Sequence, residues 1–228
     1  MDKPLLSFVL PTKNRIEWVG ECLMSLLAQT EPNIEIVVID DGSNDGTREF
    51  LDNWAVKDPR VTIVHHAKSI GAGPSRNEGT KIAKADIIAV CDDDDIYPDE
   101  RAAITIEWFK NNPNSKLVNF PYIQVGYCNE SIREFKGQEF DHEAFQKNGV
   151  VSYFSNPSCA YRKEDFEKMG GYVKEEKSAT DDFQFIANWV KTGNKINFDK
   201  RYFLCYHRVL PDSMMVGMRG FDPKDAMK

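Results

Sequence analysis

The first hundred residues alternate between short apolar runs and helical periodicities, separated by turns of a few residues. No other feature restricts the fold as much. "LLSFVL" (5–10) reads as a buried strand. Val19, Cys22, Leu23, Leu26 and Leu27 then fall at i, i+3, i+4, i+7 and i+8, which is one face of a helix. "EPN" turns the chain into "IEIVVI" (34–39), a β-branched run suited to a strand covered on both faces. A helix is predicted from Thr47 to Ala55, ending near "DP", with "VTIV" (61–64) as a third strand. Pro74 would open a helix reaching about Lys84, since proline is tolerated in a first turn, and "IIAV" (87–90) follows as a fourth strand. This order predicts an α/β fold with a mostly parallel sheet flanked by helices. At 228 residues the chain suits one domain, with two halves rather than two independent units.

In such sheets ligands bind outside the carboxyl ends of the strands. That places "PTKNR", "DDGSNDGT", "HHAKSIGAGPSRN" and "DDDD" on one rim, after the first, second, third and fourth strands. The run Asp92 to Asp95 needs explanation there. Two carboxylates about 6 Å apart repel by roughly 3 kcal/mol at an effective dielectric near 20. Taken alone, such a run is a solvated acidic loop. Its position among three other polar strand ends favours a ligand or cation site.

The second half is less regular. "KLVNFPYIQVGY" (116–127) reads as one or two strands, followed by a polar segment and a short helix from Asp141 to Asn148. "PSCAYRK" predicts a strand, "EDFEKM" a short helix, "GGY" (170–172) a tight turn and Asp181 to Thr192 a helix. "YFLCYHRV" (202–209) predicts a last strand, and the tail from Pro211, with Met214, Met215 and Met218, reads as a segment that could order as a lid.

A net charge of -7 argues against a broad nucleic-acid surface, which needs a basic footprint. Five scattered cysteines without a C-x-x-C pair read as buried thiols in a reducing compartment. The apolar run at the start is too short for a signal peptide, and no stretch approaches the ~20 apolar residues of a spanning helix. A cytoplasmic protein is expected, with peripheral contact to a membrane surface left open.

Several motifs have a plain reading beside the chemical one. Asp41, Ser43, Asp45, Gly46 and Asp52 fit a calcium loop by spacing, but that loop needs a preceding helix and here a strand comes first. The better reading is a strand ending in carboxylates, then a turn in which Ser43 or Asn44 helps start a helix. "GAGPSRN" matches neither a dinucleotide fingerprint nor a phosphate-wrapping loop. Arg76 just inside a helix start is more suggestive, since helix N-termini favour anions and guanidinium binds them bidentately. Asp181 and Asp182 at a helix start are ordinary dipole partners. His65 and His66 lack metal-ligand spacing, and His207 could belong to the core or to a site.

Together, "SFVLPTKNR", "SLLAQTEPNIEIVVIDDGSNDGT", "GAGPSRNEGTKIAKADIIAVCDDDDIYPDE" and "GGYVKEEKSATDDFQF" resemble, in order and spacing, the inverting family-two GT-A glycosyltransferases. The resemblance covers most of residues 5 to 192 and implies a nucleotide-sugar-binding half (1–100), an acceptor-binding half (101–210) and a tail or lid (211–228). It implies that Pro11, Thr12 and Asn14 lie along the nucleoside and that Asp41 accepts a hydrogen bond from the base. Arg76 would sit near the base and phosphates. The family's D-x-D falls on Asp92, toward the ribose, and Asp94, which would bind Mn2+ or Mg2+ against the diphosphate. Asp182 matches the catalytic base, and His207 is a weaker match for a residue at the metal and diphosphate.

Departures bear on this. Lys13 stands where an aromatic residue is frequent, Asp181 replaces a glutamate, and four consecutive aspartates allow the D-x-D to shift by one. The late Y-R-x-H stretch survives only as "YHRV", and the Q-x-x-R-W of processive relatives is missing. The expected partners are a nucleotide-diphosphate sugar, UDP-linked first, and a carbohydrate or lipid-linked sugar acceptor. The rivals are a nucleotidyltransferase on a related sheet and a non-catalytic protein that binds nucleotide and cation.

Overall fold

The structure, a computed structural model, describes residues 3–148, 154–173 and 181–210. The proposed lid lies outside the described residues. Strands β1 (Leu6–Thr12), β2 (Ile34–Asp40), β3 (Val61–His65) and β4 (Ile87–Val90) alternate with helices α1 (Val19–Leu27), α2 (Thr47–Lys57) and α3 (Ala72–Ile82), as the apolar pattern predicts. After β4 come α4 (Arg101–Asn111), β5 (Leu117–Asn119), β6 (Tyr122–Val125), β7 (Ser131–Phe135) and α5 (His142–Asn148). A 3-10 turn (Asn156–Ser158) leads into β8 (Cys159–Arg162), α6 (Lys163–Met169), α7 (Asp181–Lys191), β9 (Asn197–Phe198) and β10 (Tyr206–Arg208).

The main sheet has seven strands in the order β3-β2-β1-β4-β8-β5-β9. β1 pairs in parallel with both β2 and β4, while β8 runs antiparallel to β4 and β5. The chain winds outward from β1 to β3 and then returns to place β4 on the other side of β1. The loops leaving β1 and β4 therefore diverge, which opens a crevice at their carboxyl ends. A second sheet, β10-β6-β7, is joined to the aspartate turn by a bridge between Ile96 and Tyr206.

Alternation along β1 divides the core into two layers. Leu6, Phe8 and Leu10 pack with α1, Leu51 of α2, and Trp108 and Phe109 of α4. Val9 faces the other way with Val37, Ile39, Ile88 and Val90, against Phe166 of α6 and Phe185, Ile186 and Trp189 of α7. Pro11 is tolerated inside β1 because β4 has already left the sheet. Val9 O accepts from Cys91 N, the last such bond, so the missing proline N–H faces no strand.

α3 crosses β1 so closely that a Cβ at Gly79 would lie 2.6 Å from Val9 Cγ1. Alanine has the higher helix propensity, by about 1 kcal/mol, but overpacking a buried strand costs about 1–3 kcal/mol. Gly79→Ala is expected to lower stability in a denaturant titration. A rise would mean that Val9 rotates aside at no cost.

Local differences from the sequence reading have physical reasons. α3 starts at Ala72, so Pro74 is its third residue and still inside the first turn. β7, read as a polar connection, is a largely exposed edge strand on which Phe135 stacks against Tyr122 at 4.6 Å. The last strand is confined to Tyr206–Arg208, because only these residues pair with β6. Of the five free cysteines, Cys128 is exposed and the other four are buried.

Candidate active site

The four rim loops are fastened to one another by side chains. Asn14, in a left-handed conformation (φ 53°), donates its backbone N–H to Ser43 Oγ at 2.9 Å and accepts Asn44 N–H on its own Oδ1 at 2.9 Å. It therefore staples the β1 and β2 loops. Asp45, rather than Ser43 or Asn44, accepts the first amide of α2, from Thr47 at 3.0 Å. Its other oxygen accepts the Ile16 N–H, so these carboxylates are engaged by the chain as a turn, in agreement with rejecting a calcium loop. Thr12 closes β1 beside Asp40, and both are buried.

His65 and His66 are each clasped between two carboxylates. His65 contacts Asp40 at 2.7 Å and Asp52 at 2.9 Å; His66 contacts Asp41 at 2.8 Å and Glu78 at 2.7 Å. Burial works against protonated His66, but its bonds to Asp41 and Glu78 prevail and raise its pKa. Asp41 also accepts from Ser69 Oγ, Ile70 N and Gly71 N. With the imidazole this makes four partners, about the capacity of a carboxylate. Burial would raise the Asp41 pKa, and these bonds outweigh it and lower it. The base-reading residue expected from the sequence thus holds the 66–71 loop against the end of β2.

The four aspartates after β4 have four different surroundings. Asp92 Oδ1 lies 2.5 Å from Arg76 Nη2. Asp93 pairs with Arg15 at 3.7 Å, and burial lifts its pKa to about 6 against that partner. Asp95 is fully buried and accepts from Arg208 N at 2.9 Å, with His207 Nδ1 at 3.2 Å and Cys205 Sγ at 3.4 Å, which ties β10 to the turn. Asp94 makes no hydrogen bond or ion pair among the described residues, and burial followed by the charges of Asp95, Asp93 and Asp92 drives its pKa well above the carboxylate range. The carboxyls of the run that are pushed upward are thus Asp94 most and Asp93 less.

Arg76 joins both halves of the chain. It lies over the Tyr172 ring, 5.5 Å from the centroid, and its Nη1 is 4.0 Å from Asp182 Oδ1. Its buried Nε has no hydrogen-bond partner among the described residues. Burial alone would lower its pKa; Asp92, Tyr172 and Asp182 overcome that and keep it charged. The Asp182 side chain is 52% exposed. Burial, Asp92 and Asp181 raise its pKa to about 6 against the opposing pull of Arg76.

The structure thus brings Arg76, Asp92, Asp94 and Asp182 to one crevice, with His207 close enough to influence Asp182. His207 carries a pKa raised to about 9; burial opposes protonation, and Asp95 and the neighbouring aspartates favour it. Its Nδ1 is engaged by Asp95 at 3.2 Å. Asp41 and Asn14 stand at the β2 side of the rim, engaged in loop contacts. Sequence reasoning missed Arg15, although its place in "PTKNR" on the rim was visible, and Tyr172, whose role under Arg76 no local pattern signals.

No trio of His, Cys, Asp or Glu groups able to hold a metal occurs among the described residues. The unpaired Asp94 still fits a divalent cation whose shell is completed by substrate oxygens and water, as oxygen-seeking cations permit. No described helix is long and apolar enough to cross a membrane.

Sheet order and rim together define the GT-A class of α/β fold. Solved structures sharing it include S. aureus TarS 1-349 in complex with UDP-GlcNAc, with a TM-score of 0.75, 21% identity, and coverage of 97% of this chain and 63% of that one. Another is the mannosyltransferase PcManGT from Pyrobaculum calidifontis in complex with GDP-Man and Mn2+, with a TM-score of 0.71, 19% identity, and coverage of 94% and 60%. The family model described as Glycosyl transferase family 2 matches residues 7–170, and the chain belongs to that family. It is a glycosyltransferase. An uncharacterized glycosyltransferase of Methanocaldococcus jannaschii is 26% identical over 212 residues, covering 90% of this chain and 71% of the relative. GlyG of Streptococcus pneumoniae is 39% identical over 92 residues, 40% of this chain and 31% of that protein. The chain spans less than two thirds of GlyG and of both solved chains.

Proposed function

We propose that this chain transfers a sugar from a nucleotide-diphosphate donor to an acceptor hydroxyl, with inversion at the anomeric carbon. The observation that carries this reading is the position of Arg76, within reach of Asp92 on the donor side and Asp182 on the acceptor side. Pro11, Thr12 and the stapled Asn14 loop would flank the nucleoside. Asp41 would accept from the base once one of its four present partners yields, the rotatable Ser69 hydroxyl most readily. Asp92 would face the ribose, and Arg76 would turn to the phosphates as charge builds on them.

Asp94 would hold Mn2+ or Mg2+, which supplies positive charge against the departing diphosphate. His207, held through Nδ1 by Asp95, would stand beside it at the metal and diphosphate. Asp182, half-open to the cleft, would take the acceptor hydroxyl proton from the face opposite the leaving group. Residues 1–100 would form the donor half and 101–210 the acceptor half. The acceptor is a carbohydrate or lipid-linked sugar, met in the cytoplasm or at its membrane surface. TarS with UDP-GlcNAc and the mannosyltransferase with GDP-Man and Mn2+ support a nucleotide-sugar donor. A UDP sugar is our first choice.

Thermal stabilisation by UDP, GDP, CDP and TDP, each with and without Mn2+, tests the donor site. Ligand at 100 times its dissociation constant should add about 2.7 kcal/mol. A Mn2+-dependent shift with one nucleotide, lost in Asp94→Ala, is the expected result. Stabilisation by no nucleotide would overturn the donor site. A requirement for nucleoside triphosphate, with pyrophosphate as product, would favour a nucleotidyltransferase. Nucleotide binding without sugar transfer or donor hydrolysis would leave a binding protein.

A further inference from the structure

Helix α3 has no side-chain cap of its own: its N-cap residue is Gly71, which carries no side chain to accept from the first turn. Its leading amides are taken instead by two acids from elsewhere in the fold. Asp41 accepts Ile70 N and Gly71 N, and Asp181 Oδ2 accepts Gly73 N at 3.0 Å, from 108 residues further along the chain. The carboxylate that sequence reasoning assigned to the dipole of α7 therefore also caps α3. The contact is tight: a Cβ on Gly73 would lie 2.8 Å from Asp181 Oδ2 and 3.2 Å from Tyr172 Cβ. Asp181 is only 5% exposed, whereas its neighbour Asp182 opens into the cleft.

Three residues beyond Gly73, one helical turn, stands Arg76. Asn77 fastens the same helix to Tyr172 through both backbone groups, at 2.7 and 2.8 Å. Two independent ties thus fix α3 against the second half of the chain, one to Tyr172 beneath Arg76 and one to the first residue of α7. We infer that Asp181 is a positioning residue, which locks the start of α7 onto α3 through the Gly73 amide and so sets Asp182 at its distance from Arg76. The inference rests on the proposed role of Asp182, and it explains how an aspartate serves where a glutamate is usual. The shorter side chain reaches the amide only because position 73 is glycine.

The test compares Asp181→Ala, Asp181→Asn, Gly73→Ala and Asp182→Asn by hydrolysis of whichever nucleotide sugar matches the stabilising nucleotide, with water as acceptor. Nucleotide-induced thermal shift is read alongside. A displacement of the base of about 1 Å costs on the order of 100-fold in rate, so Asp181→Ala and Gly73→Ala should each lose about that in kcat and keep the nucleotide shift. Asp181→Asn retains an oxygen for the Gly73 amide and should hold a near-native rate. Removing the Asp181 charge should also move the acid limb of the pH profile to lower pH in both the Ala and Asn variants.

Equal rate losses in Ala and Asn variants, or a native rate in Asp181→Ala while Asp182→Asn is inactive, would overturn the positioning role and leave the base standing. An active Asp182→Asn would overturn the base itself. If Asp181→Ala does not fold, Gly73→Ala and Asp181→Asn decide: a native rate in the first, or a large loss in the second, overturns the inference.

Discussion

Asp182→Asn is expected to abolish sugar transfer while leaving nucleotide binding unchanged. A positioned general base contributes about 10²–10⁴-fold to rate, and asparagine keeps the shape of the side chain without a site for the proton. Asp182 is half exposed and 4.0 Å from Arg76, which keeps Asp92 as its nearer partner at 2.5 Å, so stability should change little. The same carboxylate predicts the pH dependence. The base works only when deprotonated, and burial with neighbouring acids raises its pKa to about 6. Activity should therefore fall as pH drops through about 6 or somewhat lower, with unit slope. Nucleotide-dependent thermal shifts together with kcat/KM across the acidic range check both halves. Full activity in Asp182→Asn would move the base elsewhere.

Arg76→Met is expected to damage stability and binding together. Removing one member of a buried ion pair costs about 3–5 kcal/mol, because the other charge remains unpaired. Arg76 is 9% exposed and Asp92 24%, so water relieves part of this and about 3 kcal/mol is expected. Loss of a charge-assisted contact to a diphosphate should weaken nucleotide binding by about 1.5–3 kcal/mol, roughly 10- to 100-fold. Arg76 also holds the Asp182 pKa down, so its removal should shift the acid limb upward. Arg76→Lys keeps the charge but not the planar fork and should recover stability more than binding. Denaturant titration and nucleotide titration separate the two effects. An Arg76→Met protein of native stability and affinity would show that Asp92 is neutralised by another group.

Much of the architecture follows from short-range rules. Apolar, β-branched runs marked β1 to β4 and a 3.6-residue periodicity marked α1, because their covered faces are written in their own spacing; α3, whose buried face is Gly73, Ser75, Arg76, Gly79 and Thr80, was legible only from Pro74 and the strand–helix alternation. Parallel pairing then put "PTKNR", "DDGSNDGT", "GAGPSRN" and "DDDD" on one rim. Where the chain is exposed on both faces, as in β7, no pattern exists to read. Where a strand is defined only by its partner, as in β9 and β10, the sequence alone could not bound it.

The acidic run shows the same division. Sequence alone put four adjacent carboxylates at a strand end on the same rim as a helix-borne arginine, a position that favoured a ligand or cation site over a solvated loop. Only the tertiary structure decided how the cost is shared: Arg76 takes Asp92, Arg15 takes Asp93, the β10 segment takes Asp95, and Asp94 has no hydrogen bond or ion pair among the described residues. It likewise decided that Asp41 is occupied by its own loop and that Asp181 reaches Gly73. The physical reason is range. Secondary structure and strand-end polarity are set by neighbours within a few residues, whereas these pairings join groups 16 to 113 positions apart, and nothing but the packed fold brings them within hydrogen-bond distance.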